Sequence, residues 1–292
     1  MNPQPRRTML DHTQIIPRIL VTIDFTASSE RAFYHALALA VRRQARLTLL
    51  HTGPESGDAV PWDRFPGVRQ TLTRWGRLAA DAPRSAITDQ LNISIAKMAM
   101  RDDDPRQGIA DYLRRHPADL LVMATEGRNG LARLFNPSVA ESVCHRSRSR
   151  TLLLPKHGRS FIDGDTGRSS LKRVVVAFDP GQDLRPSIAF LNHWLSALGE
   201  DGVEVTLLER ESPDERDDVV LANVDGLSWH RRTAPGDTVT MLLDAAAAES
   251  PDLLVLNTER RLGMRGRMRG SRLDRLLKRT GLPVLTLPRI KP

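Results

Sequence analysis

Aromatic side chains make up only 4% of this 292-residue chain, and it has a single cysteine, Cys144. One cysteine excludes a disulfide framework and any cysteine-built metal site; Cys144 is read as a small buried hydrophobe. The eight histidines include no H-x-x-x-H pair, which removes the common zinc hydrolases. No G-x-S-x-G turn exposes a nucleophilic serine. No apolar run reaches the roughly 18 residues that cross a bilayer, and the opening MNPQPRRTMLDHTQ lacks the apolar centre of a secretory signal. A cytoplasmic protein with no membrane partner is therefore expected. The net charge of +8 and pI near 10.4 raise nucleic acid as a partner. Scarce aromatics and the lack of a helix-turn-helix or RNA-recognition pattern argue against sequence-specific binding and leave a general attraction for anionic ligands.

What is present is a stretch that occurs twice. DLLVMATEGRNGLARLFNPSVAESV runs from Asp119 to Val143, and DLLVLNTERRLGMRGRMRGSRLDRL from Asp252 to Leu276. Each begins with an Asp and an apolar run short enough for a buried parallel strand, passes through a loop containing glycine and arginine, and ends on an amphipathic helix. Such a loop aims unpaired backbone N–H groups and the positive end of a helix dipole at one spot, which suits a phosphate. Ser138 followed by Glu141 reads as a capping box, and Ser271 with Asp274 is its relative.

The rest of the chain falls into order around these two stretches. After a polar tail to about Ile16, RILVTID is a buried strand ending at Asp24, followed by a helix and the strand ARLTLLHT. A loop and a helical pattern holding Trp62, Trp75 and Leu78 lead to the strand ISIAKMAM, the helix DDPRQGIADYLRRHP, the repeated stretch and the closing strand TLLLP. A polar, glycine-containing linker precedes KRVVVAFDPG, which repeats the first strand with Asp179 where Asp24 stood. Helix, strand, helix, strand, loop, helix and PVLTLP then follow. From the second strand to the fourth strand's Asp is about 43 residues here against about 67 in the first unit, so the second helix is expected to be shortened or lost. The boundaries are a first domain at 1–157 with its tail at 1–16, a linker at 158–170 and a shorter second domain at 171–292. Each is a three-layer α/β unit on a mostly parallel five-stranded sheet, flavodoxin-like in the wide, Rossmann-like sense.

The ordered set of motifs resembles the universal stress protein family, and the chain is similar to a tandem member. The matching features are the strand ending in Asp, the D-L-L-V-M-A-T strand, the G-R-N-G-L-A-R-L loop, the S-V-A-E helix start and the closing apolar strand. The resemblance implies an adenine nucleotide alpha hydrolase-like fold and a stress-response protein that binds ATP or another adenine nucleotide, with Mg2+ only if it accompanies ATP. It implies that Asp24 and Asp179 contact adenosine; an Asp capping its own turn is the other reading. ATP-binding members carry G-x-x-G, nine residues, then G-S or G-T. Here Ala124, Gly127, Pro137 and Ser138 stand at those positions in the first half, with Gly130 in the loop between, and Asn257, Arg260, Gly270 and Ser271 in the second. Pro137 has no N–H for a phosphate, so the better phosphate site is expected near Gly270 and Ser271. The arginines around Arg260 are either a solvated loop or a phosphate clamp.

A binding or regulatory protein, not an enzyme, is the reading; a slow ATPase would need a base that no motif supplies. The alternative is a nucleotide-free stress protein that acts through protein–protein contacts. The closing strands Thr151 to Leu154 and Val284 to Leu287 are expected to pair within one chain, since an apolar edge must be covered. That leaves a homodimer optional.

Overall fold

The computed structural model describes residues 16–55, 59–125, 143, 149–178, 183–200, 202–210, 221, 224–258 and 272–288. Over these residues the strands are β1 (Arg18–Ile23), β2 (Arg46–Gly53), β3 (Ser94–Arg101), β4 (Leu120–Thr125), β5 (Thr151–Pro155), β6 (Arg173–Ala177), β7 (Val203–Arg210), β8 (Leu227–Ala234), β9 (Leu253–Thr258) and β10 (Val284–Pro288). The helices are α1 (Ala27–Arg43), α2 (Val68–Arg74), α3 (Ala86–Leu91), α4 (Pro105–Arg115), α5 (Arg185–Leu195), α6 (Thr238–Glu249) and α7 (Arg272–Arg279). None of them is long and apolar enough to cross a membrane.

Local chemistry explains the main boundaries. In β1 every residue after Arg18 is buried, as a strand covered on both faces requires. The hydroxyl of Thr26 caps α1 by accepting from the Ser29 N–H, and the helix ends at Gln44 in the left-handed region, φ 50°. Asp104 caps α4, Pro105 fills its first turn, and Arg114 and Arg115 close it against the helix dipole. The pattern around Trp62 and Trp75 is not one helix. A three-residue 3-10 turn at Trp62–Arg64 precedes the short α2, Trp75 is that helix's C-cap, and Leu78 lies beyond it. Pro61 and Pro66 break the helical run there.

All the strands join one ten-stranded sheet in the order β3-β2-β1-β4-β5-β10-β9-β6-β7-β8. Each half is a parallel set of five in mirrored order, the Rossmann-like arrangement. The halves meet at an antiparallel seam in which Val284 faces Leu153, Leu285 faces Leu152 and Thr286 faces Thr151, the pairing expected of the closing strands. β8, which no motif in the chain announced, is legible afterwards from the alternation of buried Leu227 and Trp229 with exposed Ser228 and His230. Among the described residues no helix stands between β7 and β8, where the first half has α2 and α3. Two apolar layers line the sheet and both run across the seam. One joins α1 and α5 to Ile19, Val122, Leu152 and Leu285; the other joins α4, α6 and α7 to Leu20, Met123, Leu153 and Val284.

The polar connection after β5 is not a free tether. Residues 156–170 fold into a small loop closed by an Ile162–Ser169 bridge and by Asp163, whose Oδ1 accepts from the Thr166 and Asp165 N–H groups. Phe161 and Ile162 are buried in the α1-side layer.

Candidate functional site

In each half the strand order turns at the first strand: β1 lies between β2 and β4, and β6 between β7 and β9. Connections leave such a strand in opposite directions and open a crevice beyond the carboxyl ends. Asp24 stands at the first of these mouths, directly after β1. Its Oδ1 accepts from the Thr26 N–H at 3.1 Å and from the Thr26 hydroxyl at 2.6 Å, so the carboxylate holds the turn that starts α1. Among the described residues both of these bonds use Oδ1, and the outer oxygen, Oδ2, serves neither.

Between Asp24 and Thr26 the chain places Phe25 at φ 63°. A left-handed phenylalanine costs roughly 1–2 kcal/mol. Its ring offsets this by packing against His51 at 4.8 Å, Trp62 at 5.4 Å and Phe65 at 5.9 Å. His51 Nδ1 lies 2.9 Å from the Ile23 carbonyl; that oxygen can only accept, so Nδ1 carries the proton. The Lys97 ammonium lies 5.1 Å from the centre of the Trp62 ring. The α1 side of the mouth is thus an aromatic wall with a cation on it.

The other side is polar. Leu20, Leu50 and Met123 belong to the α4-side layer, so two residues further along their strands Thr22, Thr52 and Thr125 face the same way. Thr125 donates weakly to the Leu154 carbonyl, at 3.4 Å. Thr22 and Thr52 are only 2% and 8% exposed, yet among the described residues neither hydroxyl has a hydrogen-bond partner. Strand register pairs Ile23 with His51, which sets Thr52 beside Asp24. The first turns of α4 press on this point. A Cβ at Gly108 would come within 2.4 Å of the Thr52 methyl, so only glycine allows the approach. Orphaned hydroxyls buried at a mouth are what a ligand with a hydrogen-bonding edge would satisfy.

The second mouth is built differently. By register Ala177 takes the place of Thr22, Arg210 that of Thr52, and Asn257 that of Ala124. Ala177 is fully buried and Arg210 is exposed. Of the expected site residues Asp24 is placed at its mouth, whereas Gly127, Gly130, Ser138, Asp179, Arg260, Gly270 and Ser271 lie outside the described residues, as does Pro137. Ala124 is a strand residue of β4 with its methyl in the α1-side layer. Thr22 and Thr52 were missed by motif reading. Their one signal is a threonine near the end of an otherwise apolar strand.

A groove of about 780 Å3 lies at the opposite, amino ends of β6, β7 and β8, lined by Lys172, Arg173, Glu204, Asp225 and Asp252 among others. Asp252 is already engaged there: its Oδ2 accepts from the Lys172 and Arg173 N–H groups, both at 2.9 Å. The groove lacks convergent buried polar groups, so volume alone does not make it the site. The carboxyl-end crevice is the candidate.

Comparison with known proteins agrees with this architecture. The family model described as "Universal stress protein family" matches residues 16–155 and 191–288. A universal stress protein of Mycobacterium tuberculosis is 29% identical over 148 residues, 50% of this chain and 47% of its own. The chain therefore spans about half the length of the curated relatives it matches. Among solved structures, a universal stress protein from Pseudomonas aeruginosa superposes with a TM-score of 0.60 over 94% of each chain at 14% identity, a likeness of fold. A universal stress protein in complex with cAMP matches 47% of this chain and 96% of its own at 25% identity, with a TM-score of 0.31.

Proposed function

The chain belongs to the universal stress protein family as a tandem of two such regions, and from that premise we propose that it binds an adenine nucleotide without transforming it, mainly through the nucleoside end, at the first mouth. The observation that carries this is the pair of buried, unpartnered hydroxyls of Thr22 and Thr52 beside Asp24. Each costs about 1–3 kcal/mol while unsatisfied. A hydroxyl both donates and accepts, which matches the mixed edge of adenine, and the outer oxygen of Asp24 can accept from ribose hydroxyls. The aromatic wall of Phe25 and Trp62 supplies an apolar face for a flat base.

The phosphates gain less here. Pro137 offers no N–H, so ATP has little advantage over adenosine at the first mouth, and Mg2+ enters only as the companion of ATP. The second half keeps Gly270, Ser271 and Arg260 in the chain and is the better place for a phosphate group. Binding without catalysis is supported by the structural use of Asp24, whose Oδ1 holds the turn that starts α1. The imidazole of His51 is committed to the Ile23 carbonyl.

Calorimetry on the full chain tests this. Adenosine, AMP and ATP should bind within about tenfold of one another. Thr22→Val and Thr52→Val should each weaken binding about threefold to tenfold, the worth of one ordinary hydrogen bond, while raising the melting temperature. Unchanged affinity in both variants would remove the threonines from the site. The second reading, a nucleotide-free protein that acts through a protein partner, is favoured by Ala124 and Pro137 at the glycine positions. The absence of binding heat with every nucleotide would decide for it.

A further inference from the structure

His35 sits in the middle of α1 and is completely buried. Its Nδ1 is 2.8 Å from the Arg31 carbonyl one turn earlier, which fixes Nδ1 as the donor. Its Nε2 faces outward to the connection between the halves, 3.4 Å from Ser160 Oγ. That hydroxyl gives its proton to the Ile162 carbonyl at 2.8 Å. The imidazole also meets the Phe161 ring edge to face at 4.5 Å. The connection is thus the cover over a neutral histidine.

The same loop ties the halves together. Arg31 donates to the carbonyls of Pro155 at 2.6 Å, of Lys156, and of Gly158 at 3.3 Å. Arg42 reaches the Gly167 carbonyl and Glu200, and Glu200 also holds Arg168 and the Ser169 N–H. Trp75 Nε1 donates to the Gly164 carbonyl at 3.0 Å. On the other side Arg159 bonds to the Gly281 and Ser250 carbonyls of the second half.

We propose that residues 156–170 form a proton-sensitive latch, closed over neutral His35 and released when that imidazole is protonated. The groups facing the ring are the Arg31 charge from α1 and the Ser160 hydroxyl and Phe161 ring from the connection. No carboxylate of the described residues meets the ring. A second proton therefore finds a cation and one neutral oxygen, which cannot repay the desolvation of a buried charge. Burial and the nearby Arg31 charge push the imidazole down to about 4 from its ordinary 6.5. A depressed basic group holds the closed state most firmly above its open-state value and loses that hold as pH falls below it. Closing should therefore be favoured above pH 6.5 and weakened as pH drops towards 4. Asp163 and Glu200 are themselves held below the usual carboxylate range by their hydrogen bonds, so they stay charged over that window. The seam between β5 and β10 keeps the halves joined when the latch opens.

Hydrogen–deuterium exchange of the full chain between pH 7.5 and pH 5, corrected for intrinsic exchange, reads the latch directly. Protection of residues 156–170 should fall about thirtyfold by pH 5, as expected for a group moving from 4 to 6.5 on opening, while the β5 and β10 amides stay protected. His35→Phe keeps the ring contact but cannot take the proton, so its protection should stay flat. Should that variant fold poorly, the imidazole resonance of His35 in the native chain gives the second reading and should not titrate near 6.5 while the loop is closed. Equal protection at both pH values, the same fall in His35→Phe, or a ring that titrates near 6.5 under a protected loop would each overturn the proposal.

Discussion

The two mouths share a scaffold and differ in what they present. Along the first strands Ile19, Leu20 and Val21 correspond to Val174, Val175 and Val176, all buried, because covered parallel strands accept little else. The difference starts one residue later, where Thr22 is opposed to Ala177, and continues with Thr52 against Arg210. A buried threonine without a partner destabilises its half; alanine in the same place does not. The second half shows that the fold runs well without the hydroxyls, which directs attention to what they do in the first.

That comparison can be broken in several places, and the largest effect should come from the part both halves share. Leu153 is fully buried at the seam opposite Val284. Leu153→Asp buries an uncompensated carboxylate and should cost about 4 kcal/mol or more, seen as a collapse of the urea midpoint or as aggregation. If each half instead melted independently and only one shifted, the seam would not be the common core that the shared layers make it. Trp75→Ala strikes the place where the first half meets the connection. It removes the ring against Gly167 and the bond to Gly164 and should cost about 3–5 kcal/mol in thermal unfolding.

Exchanging the mouths gives the next effect. Ala177→Thr should lower stability by about 1–3 kcal/mol by creating an orphaned hydroxyl, and Thr22→Val should raise it by a similar amount while weakening adenosine binding. Equal stability of both variants and the native chain would mean that water satisfies these groups. The smallest effect concerns a helix cap. Asp237 caps α6 through the Thr240 N–H at 2.9 Å and pairs with Arg275 at 3.0 Å, and these bonds bring its carboxyl down to about 2. Asp237→Ala should cost about 1 kcal/mol. The native cap's contribution is whole above about pH 4 and is lost as pH falls through 2, since a depressed carboxylate stabilises only while ionised. A urea series at pH 7 and pH 2.5 should show the native and Asp237→Ala chains converging.

Much of this was legible in the chain. The apolar run ending in Asp24 and the runs that follow Asp119 and Asp252 placed strands correctly, because a strand covered on both faces needs an unbroken apolar stretch. The pairing of Thr151 to Leu154 with Val284 to Leu287 was legible too, since two short apolar edges must be covered by something. The segment from Trp62 to Leu78 misled, because its apolar spacing is helical while Pro66 interrupts the hydrogen-bond ladder. The connection misled in another way. Gly158, Ser160 and Gly164 read as solvent-loving linker residues, and nothing local reveals that Arg31, His35 and Trp75, far away in the chain, would meet the Gly158 carbonyl, the Ser160 hydroxyl and the Gly164 carbonyl.

Residue order by itself determined the repeated α/β unit, the buried strands and the position of Asp24 at a strand end, because these follow from periodicity and backbone hydrogen bonding over a few residues. Tertiary structure alone decided that Thr22 and Thr52 are orphaned at one mouth, that Asp24 braces its own turn, and that His35 lies neutral beneath the connection. Those are facts about which polar groups meet or fail to meet across long sequence separations, and the cost of a buried hydroxyl or imidazole depends on that meeting, not on its neighbours in the chain.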